Sequence, residues 1–153
     1  MRPRTHTADW LDQKHDAIDL RKNLPDERID TIRRRADWLD EPERSLVLAM
    51  FRDGRPATEI AAIAGIEPRQ ARRRIRRAVE RLFDPRFLYV LAHAARWSTT
   101  RQRVARALFQ HGRSIRQTAR ALDLTIHEVR RHRDAICARA EAHTESPDRT
   151  WRA

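Results

Sequence analysis

Between Glu67 and Phe83 the chain carries seven arginines against two acids, Glu67 and Glu80, yet Ala71, Ile75, Ala78, Val79 and Leu82 recur among them at helical spacing. A segment this charged folds in one way. It forms a helix that turns a narrow apolar stripe inward and leaves its arginines outside. With Ala71 taken as inward, Arg69, Arg73 and Arg76 point most nearly outward, and Gln70, Arg72, Arg74 and Arg77 flank them. Arg81 follows nearer the helix end. Like charges at i, i+4 repel and weaken an isolated helix, so a partner of opposite charge is expected. The arginine fork matches phosphate oxygens and guanine edges, which makes nucleic acid the expected partner class.

The residues in front of this helix predict a tight corner. A short helix from Pro56 to Ala64 sets Ile60, Ala61 and Ala64 on one side, with Ala61 small enough for close helix crossing. Gly65 supplies a residue that enters the left-handed region without a Cβ penalty. Ile66 plugs the corner, and Pro68 suits the first turn of the next helix, where its missing N–H costs nothing. Upstream, Glu43 to Arg52 reads as a helix with Leu46, Val47, Met50 and Phe51 inward, ended by Asp53-Gly54.

The same pattern returns 58 positions later. Sliding 43–83 onto 101–141 needs no gap and pairs Ala49 with Ala107, Phe51 with Phe109, Gly54 with Gly112, Ala61 with Ala119 and Arg72-Arg73 with Arg130-Arg131. Asp123 stands where Gly65 stood, and Leu124 replaces Ile66. Thr125 and Glu128 form a capping box for the last helix. In that helix His127, Arg131 and Asp134 point outward when Val129 points in, with Arg130 beside them, and Arg133 replaces the inward Ile75. From Thr125 to His143 the net charge is only +1, against +5 from Glu67 to Phe83. The first unit is thus expected to read bases, and the second to clamp backbone or hold a second copy of the chain.

The remaining segments read as helical support. Residues 1–42 carry a net charge of −1 in a chain whose net charge is +11. They predict one helix over 8–22 and another opened by Pro25, with Ile29, Ile32, Ala36 and Leu39 in a stripe. The pentapeptide ADWLD occurs twice, and its tryptophans, Trp10 and Trp38, are expected as packing anchors. Asp84-Pro85 breaks the chain before a segment to Trp97 that is apolar over most of its girth, expected as a buried strut between two units. Three glycines, seven prolines and no β-branched runs predict an all-α protein.

The run from Glu43-Arg44 through Leu82, with Glu59-Ile60-Ala61, the Gly65-Ile66 turn and the Arg77-Ala78…Leu82 end, resembles region four of bacterial sigma factors and, more broadly, LuxR-type helix-turn-helix DNA-binding domains. The resemblance covers about a quarter of the chain. It implies trihelical units whose closing helix enters a major groove. The family usually has Ser or Thr where Glu67 stands, and residues 1–42 are shorter than the aromatic-rich region of a whole sigma factor.

The expectation is therefore an all-α chain of tandem trihelical helix-turn-helix units: an N-terminal helical extension over 1–42, a first unit over 43–84, a connecting helix over 85–97, a second unit over 98–143 and a loose tail over 144–153. Its expected function is sequence-specific binding of double-stranded DNA in transcriptional regulation. The alternative is a sigma-like interaction protein that binds RNA polymerase or another regulator and contacts DNA weakly. The residues expected on DNA are Arg69, Gln70, Arg72, Arg73, Arg74, Arg76, Arg77, Arg81, His127, Arg130 and Arg131. No cofactor, metal site, membrane span or enzymatic pattern is expected: His127 and His132 lack the i, i+4 spacing of paired helix ligands. Cys137 alone excludes an internal disulfide and, with no secretory signal, points to the cytoplasm.

Overall fold

Pro25 cannot donate a backbone hydrogen bond, and the acids Asp26 and Glu27 that follow it suit the positive end of a helix dipole. Helix α1 accordingly runs over Asp26–Arg35, with Arg33, Arg34 and Arg35 at its negative end. It tightens into a 3-10 turn at Ala36–Trp38. The computed structural model describes residues 20–22 and 24–145, so the helix expected over 8–22 lies almost wholly outside the described residues, as does Trp10. Among the described residues the fold is all-α, with eight α-helices and no strand.

Helix α2 spans Glu43–Phe51 and buries Leu46, Val47, Met50 and Phe51, as its spacing predicts. The Arg33 guanidinium donates from Nε to the Phe51 carbonyl at 2.7 Å, closing the exposed end of α2. Helix α3, Ala57–Ala64, ends on Gly65 at φ 65°. Ile60 and Ala61 are buried, but Ala64, expected on the same side, is exposed. The left-handed residue swings the chain away after the last turn. The corner is closed instead by the Ile66 N–H, which donates to the Ala61 carbonyl at 3.0 Å. Helix α4 then runs from Pro68 to Leu82.

Helix α5, Pro85–His93, is capped by Asp84, whose carboxylate accepts from the Arg86 N–H at 2.8 Å. A 3-10 turn at Ala94–Arg96 follows. Helix α6, Thr99–Ala105, widens into a π turn at Arg106–Gln110. Helices α7, Ile115–Leu122, and α8, Ile126–Glu145, complete the described chain. Two clusters hold these helices together. Val90, Ala105 and Ile136 are buried with Trp97 and Phe109 against them, and Val104, Ala119 and Val129 are buried with Leu108, Leu122 and Leu124.

The chain separates into two units, one ending at Val79 and the other taking in Glu80 onward together with Trp38–Asp40. Each follows the same plan at the 58-residue offset, and the match reaches further back than 43–83 indicates. Helix α3 maps onto α7 and the start of α4 onto the start of α8, residue for residue. The 3-10 turn at Ala36–Trp38 maps onto Ala94–Arg96, and α1 onto α5 within one residue. The turns agree too: Gly54 at φ 69° and Gly112 at 64°, Gly65 at 65° and Asp123 at 55°. The Arg55 N–H donates to the Ala49 carbonyl at 3.0 Å, and the Arg113 N–H to the Ala107 carbonyl at 2.9 Å.

Two expectations therefore change. Helix α1 is the first helix of the first unit rather than part of a separate extension. Helix α5 is the first helix of the second unit rather than a strut between two units. Nor is the segment buried all round: in α5 Phe87 and Val90 are buried, Leu88 and Leu91 half-buried and Ala92 exposed, and Ala95 in the turn after it is exposed as well. Trp38 also departs from expectation. It is 43% exposed, and its ring lies 6.4 Å from that of Phe87 instead of filling a core.

Candidate nucleic-acid interface

Helix α4 is seated by Ala71, Ile75, Ala78 and Leu82, none of which reaches solvent. These four positions fall within a narrow arc of the helix. Val79, expected with them, is half-buried at its margin. Arg72, Arg76 and Val79 line one flank at i, i+4 and i+7, all half-buried, and Arg74 and Arg81 line the other, also half-buried. The exposed face is Arg69, Gln70, Arg73 and Arg77, with the acid Glu80 one turn beyond Arg77. Arg77 rather than Arg76 thus completes the outward row, because the flank holding Arg72 and Arg76 is partly covered.

This row puts three guanidinium groups at i, i+4 and i+8 on one side of the helix, with an amide beside them. Arg73 and Arg77 form no ion pair or hydrogen bond among the described residues. The unpaired guanidinium groups of Arg73 and Arg77 repel one another and present forked donors outward. It can take phosphate oxygens along its length and base edges at its centre.

Arg81 belongs elsewhere. Its Nε is buried, and its guanidinium lies across Gly112, so that a Cβ at Gly112 would overlap it. The aliphatic stem is close as well, with Cδ 3.4 Å from that Cβ position. Arg81 was expected on DNA. It packs over a turn of the second unit instead, because the left-handed Gly112 leaves a bare backbone surface that a planar guanidinium can cover. The first unit has a similar contact, with the Arg21 guanidinium 3.4 Å from a Cβ placed on Gly54.

In α8, His127, Arg130 and Arg131 are exposed, as is Asp134. The capping box forms as expected: the Thr125 N–H donates to Glu128 Oε2 at 2.8 Å, and the Glu128 N–H donates to Thr125 Oγ1 at 3.1 Å. The bond from the Thr125 N–H foremost, and then one from the Thr125 hydroxyl to the same oxygen at 2.8 Å, hold the Glu128 carboxyl below its ordinary pKa. Arg133, at the position of the buried Ile75, is half-buried and bends its guanidinium out to Asp134 at 2.8 and 3.0 Å. The acid at Asp134 therefore neutralises a neighbour, and α8 carries a net charge of only +1 from Thr125 to His143, while its Arg130, Arg131 and Arg139 form no ion pair among the described residues.

Three exposed arginines escaped an expectation centred on the closing helices: Arg113, Arg116 and Arg120, in and around α7. Counting charge by helix across the 58-residue repeat would have found them. A second capping box, at Ser114 and Gln117, was legible from the same S-x-x-Q spacing. The Gln117 N–H donates to Ser114 Oγ at 3.2 Å, and the Ser114 N–H to Gln117 Oε1 at 2.9 Å.

Cys137 is half-buried, and burial pushes its thiol pKa up, which marks an unreactive side chain. Among the described residues no helix is long and apolar enough to cross a membrane. Comparison with protein-family models, with curated proteins and with solved structures gives no match.

Proposed function

We propose that the protein is a cytoplasmic, sequence-specific double-stranded DNA-binding transcriptional regulator, with α4 as the helix that enters the major groove. The observation that carries this reading is the exposed row Arg69, Gln70, Arg73 and Arg77, set opposite a stripe with no solvent access. A rigid helix seated in this way presents its donors without rearrangement. The left-handed turn before it, at Gly65, matches what the resemblance to sigma region four implies for a helix-turn-helix. Arg73, at the centre of the row, is the residue expected to reach a base. Selection of bound sequences from random duplexes tests the reading. A defined site should emerge, and Arg73→Ala should weaken binding to it by about 1–3 kcal/mol while relaxing the preference at one position. Recovery of no preferred sequence, with equal binding by wild type and the Arg69→Ala/Arg73→Ala/Arg77→Ala variant, would overturn it.

One feature favours the interaction-protein reading as a second role. On α3, Ala62, Ile63 and Ala64 are all exposed, and Ile63 is 67% exposed. An apolar, uncharged surface on the helix beside α4 suits a protein contact better than a phosphate one. RNA polymerase is the partner class that the sigma-like resemblance implies. Capture of the chain by polymerase without DNA, lost on Ile63→Asp, is the result expected of this role.

A further inference from the structure

The two units share one plan but distribute charge in opposite ways. In the first, Glu43 to Ile66 holds three arginines and three acids, and the closing segment Glu67 to Phe83 carries a net charge of +5. In the second, Arg101 to Leu124 holds six arginines against Asp123 alone, a net charge of +5, and the closing segment from Thr125 to His143 carries only +1. The basic charge has moved from the last helix to the helices before it.

Individual pairs show how this came about. In the first unit Arg44 is neutralised by Glu41 at 3.0 Å, Arg52 by Asp53 at 2.9 Å and Arg55 by Glu59 at 2.9 Å. The counterpart of Arg55 is Arg113, and the counterpart of Glu59 is Gln117. Gln117 has no charge to offer, and its side-chain oxygen is taken by the Ser114 N–H. Arg116 and Arg120 stand four apart on the exposed side of α7, where the first unit has Thr58 and Ala62. None of Arg113, Arg116 and Arg120 forms an ion pair or hydrogen bond through its side chain among the described residues. All three are exposed, within eight residues of chain, around a helix held in place by its own capping box.

We infer that the second unit binds the phosphate backbone of duplex DNA through Arg113, Arg116 and Arg120, with α7 and not α8 as its contact helix. This rests on the reading of the chain as a DNA-binding protein. It assigns the second unit a sequence-independent grip, since a short row of guanidinium groups on a helix side, without neighbouring amides aimed at base edges, neutralises charge and reads nothing. The corresponding surface of the first unit, Thr58 and Ala62 beside Ile63, cannot do this. The two units therefore divide the work between readout by α4 and anchorage by α7.

The test uses the full chain and two duplexes, one carrying the selected site and one of random sequence, titrated across a range of salt. The Arg113→Gln/Arg116→Gln/Arg120→Gln variant should lose affinity for both duplexes by the same factor. Its plot of log affinity against log salt should be shallower by roughly 2–3, since each phosphate contact contributes about 0.9. The preference for the selected site should remain. Gln117→Glu, which restores the carboxylate of the Arg55–Glu59 pair and still permits the capping box, should reduce the slope in the same direction by about one contact. An unchanged slope in both variants overturns the inference. If Arg69→Gln/Arg73→Gln/Arg77→Gln nevertheless abolishes the preference, the reading of α4 stands alone. If none of the variants changes binding, the DNA-binding reading falls with it.

Discussion

Gly112→Ala should destabilise the second unit more than Gly65→Ala destabilises the first, although both glycines sit at almost the same φ, 64° and 65°. An L-residue in the left-handed region costs about 1–2 kcal/mol, and this term is common to the two positions. The surroundings differ. A Cβ on Gly65 meets nothing within 4 Å, whereas one on Gly112 overlaps the Arg81 guanidinium and lies 3.0 Å from its Cζ. The Arg81 guanidinium would have to shift, and with its Nε buried it gives up contacts in doing so. Neighbouring residues coupled in this way typically show interaction energies of about 0.5–3 kcal/mol. The total for Gly112→Ala is then about 1.5–5 kcal/mol. At roughly 4–8 °C per kcal/mol for a unit of this size, the melting temperature of the second unit should fall by about 6–40 °C. Thermal unfolding followed by circular dichroism gives the values, and a double-mutant cycle isolates the coupling. In an Arg81→Ala background, Gly112→Ala should cost no more than Gly65→Ala. Arg81→Ala itself should lower stability and leave the salt dependence of DNA binding unchanged. Equal losses for the two glycine variants in the wild-type background, or a steep change in salt dependence on Arg81→Ala, would refute the assignment of Arg81 to the turn.

Ile75→Ala, at a site with no solvent access, should destabilise by about 2–5 kcal/mol. Its counterpart Arg133→Ala should cost no more than about 1 kcal/mol, because that side chain reaches the surface to pair with Asp134. Urea unfolding of the two variants compares them directly. Thr125→Ala removes the hydroxyl of the α8 cap and should cost about 0.5–2 kcal/mol. Because the Glu128 pKa is lowered on folding, its contribution is present above the unfolded carboxyl value and lost as pH falls through the folded one. Acid titration of the Glu128→Gln variant should show a flatter pH dependence than wild type. Burial, with His143 and Arg96 nearby, lowers the His93 pKa. Its ring stands 4.4 Å from Tyr89 and 5.2 Å from His143. The unfolded chain therefore binds the proton more readily, and stability should fall as pH drops below about 6.5. His93→Gln should lessen that fall, as melting curves at neutral and mildly acid pH will show.

Local features were legible in the sequence by itself. Helix α2 and its four buried residues follow from spacing, because an amphipathic helix has one way to hide its apolar side chains. The left-handed turns at Gly54, Gly65, Gly112 and Asp123 follow from which residues tolerate that backbone, and the Thr125–Glu128 cap from donors left over at a helix start. The buried stripe of α4 and most of its arginine face were legible for the same reason. Depth of burial on the flanks was decided by packing. Periodicity gives the direction of a side chain around its own helix but not what stands beside it. Arg76 and Arg77 therefore exchanged places in the exposed row, and Ala64 fell outside the core. The role of Arg81 depended on a turn some thirty residues distant, which no local pattern describes. Where each unit begins was likewise a tertiary matter. Asp26–Arg35 and Pro85–His93 share few residue identities, yet both lead a unit of the same plan. Their likeness lies in which positions are covered, and covering requires the neighbouring helices to be in place.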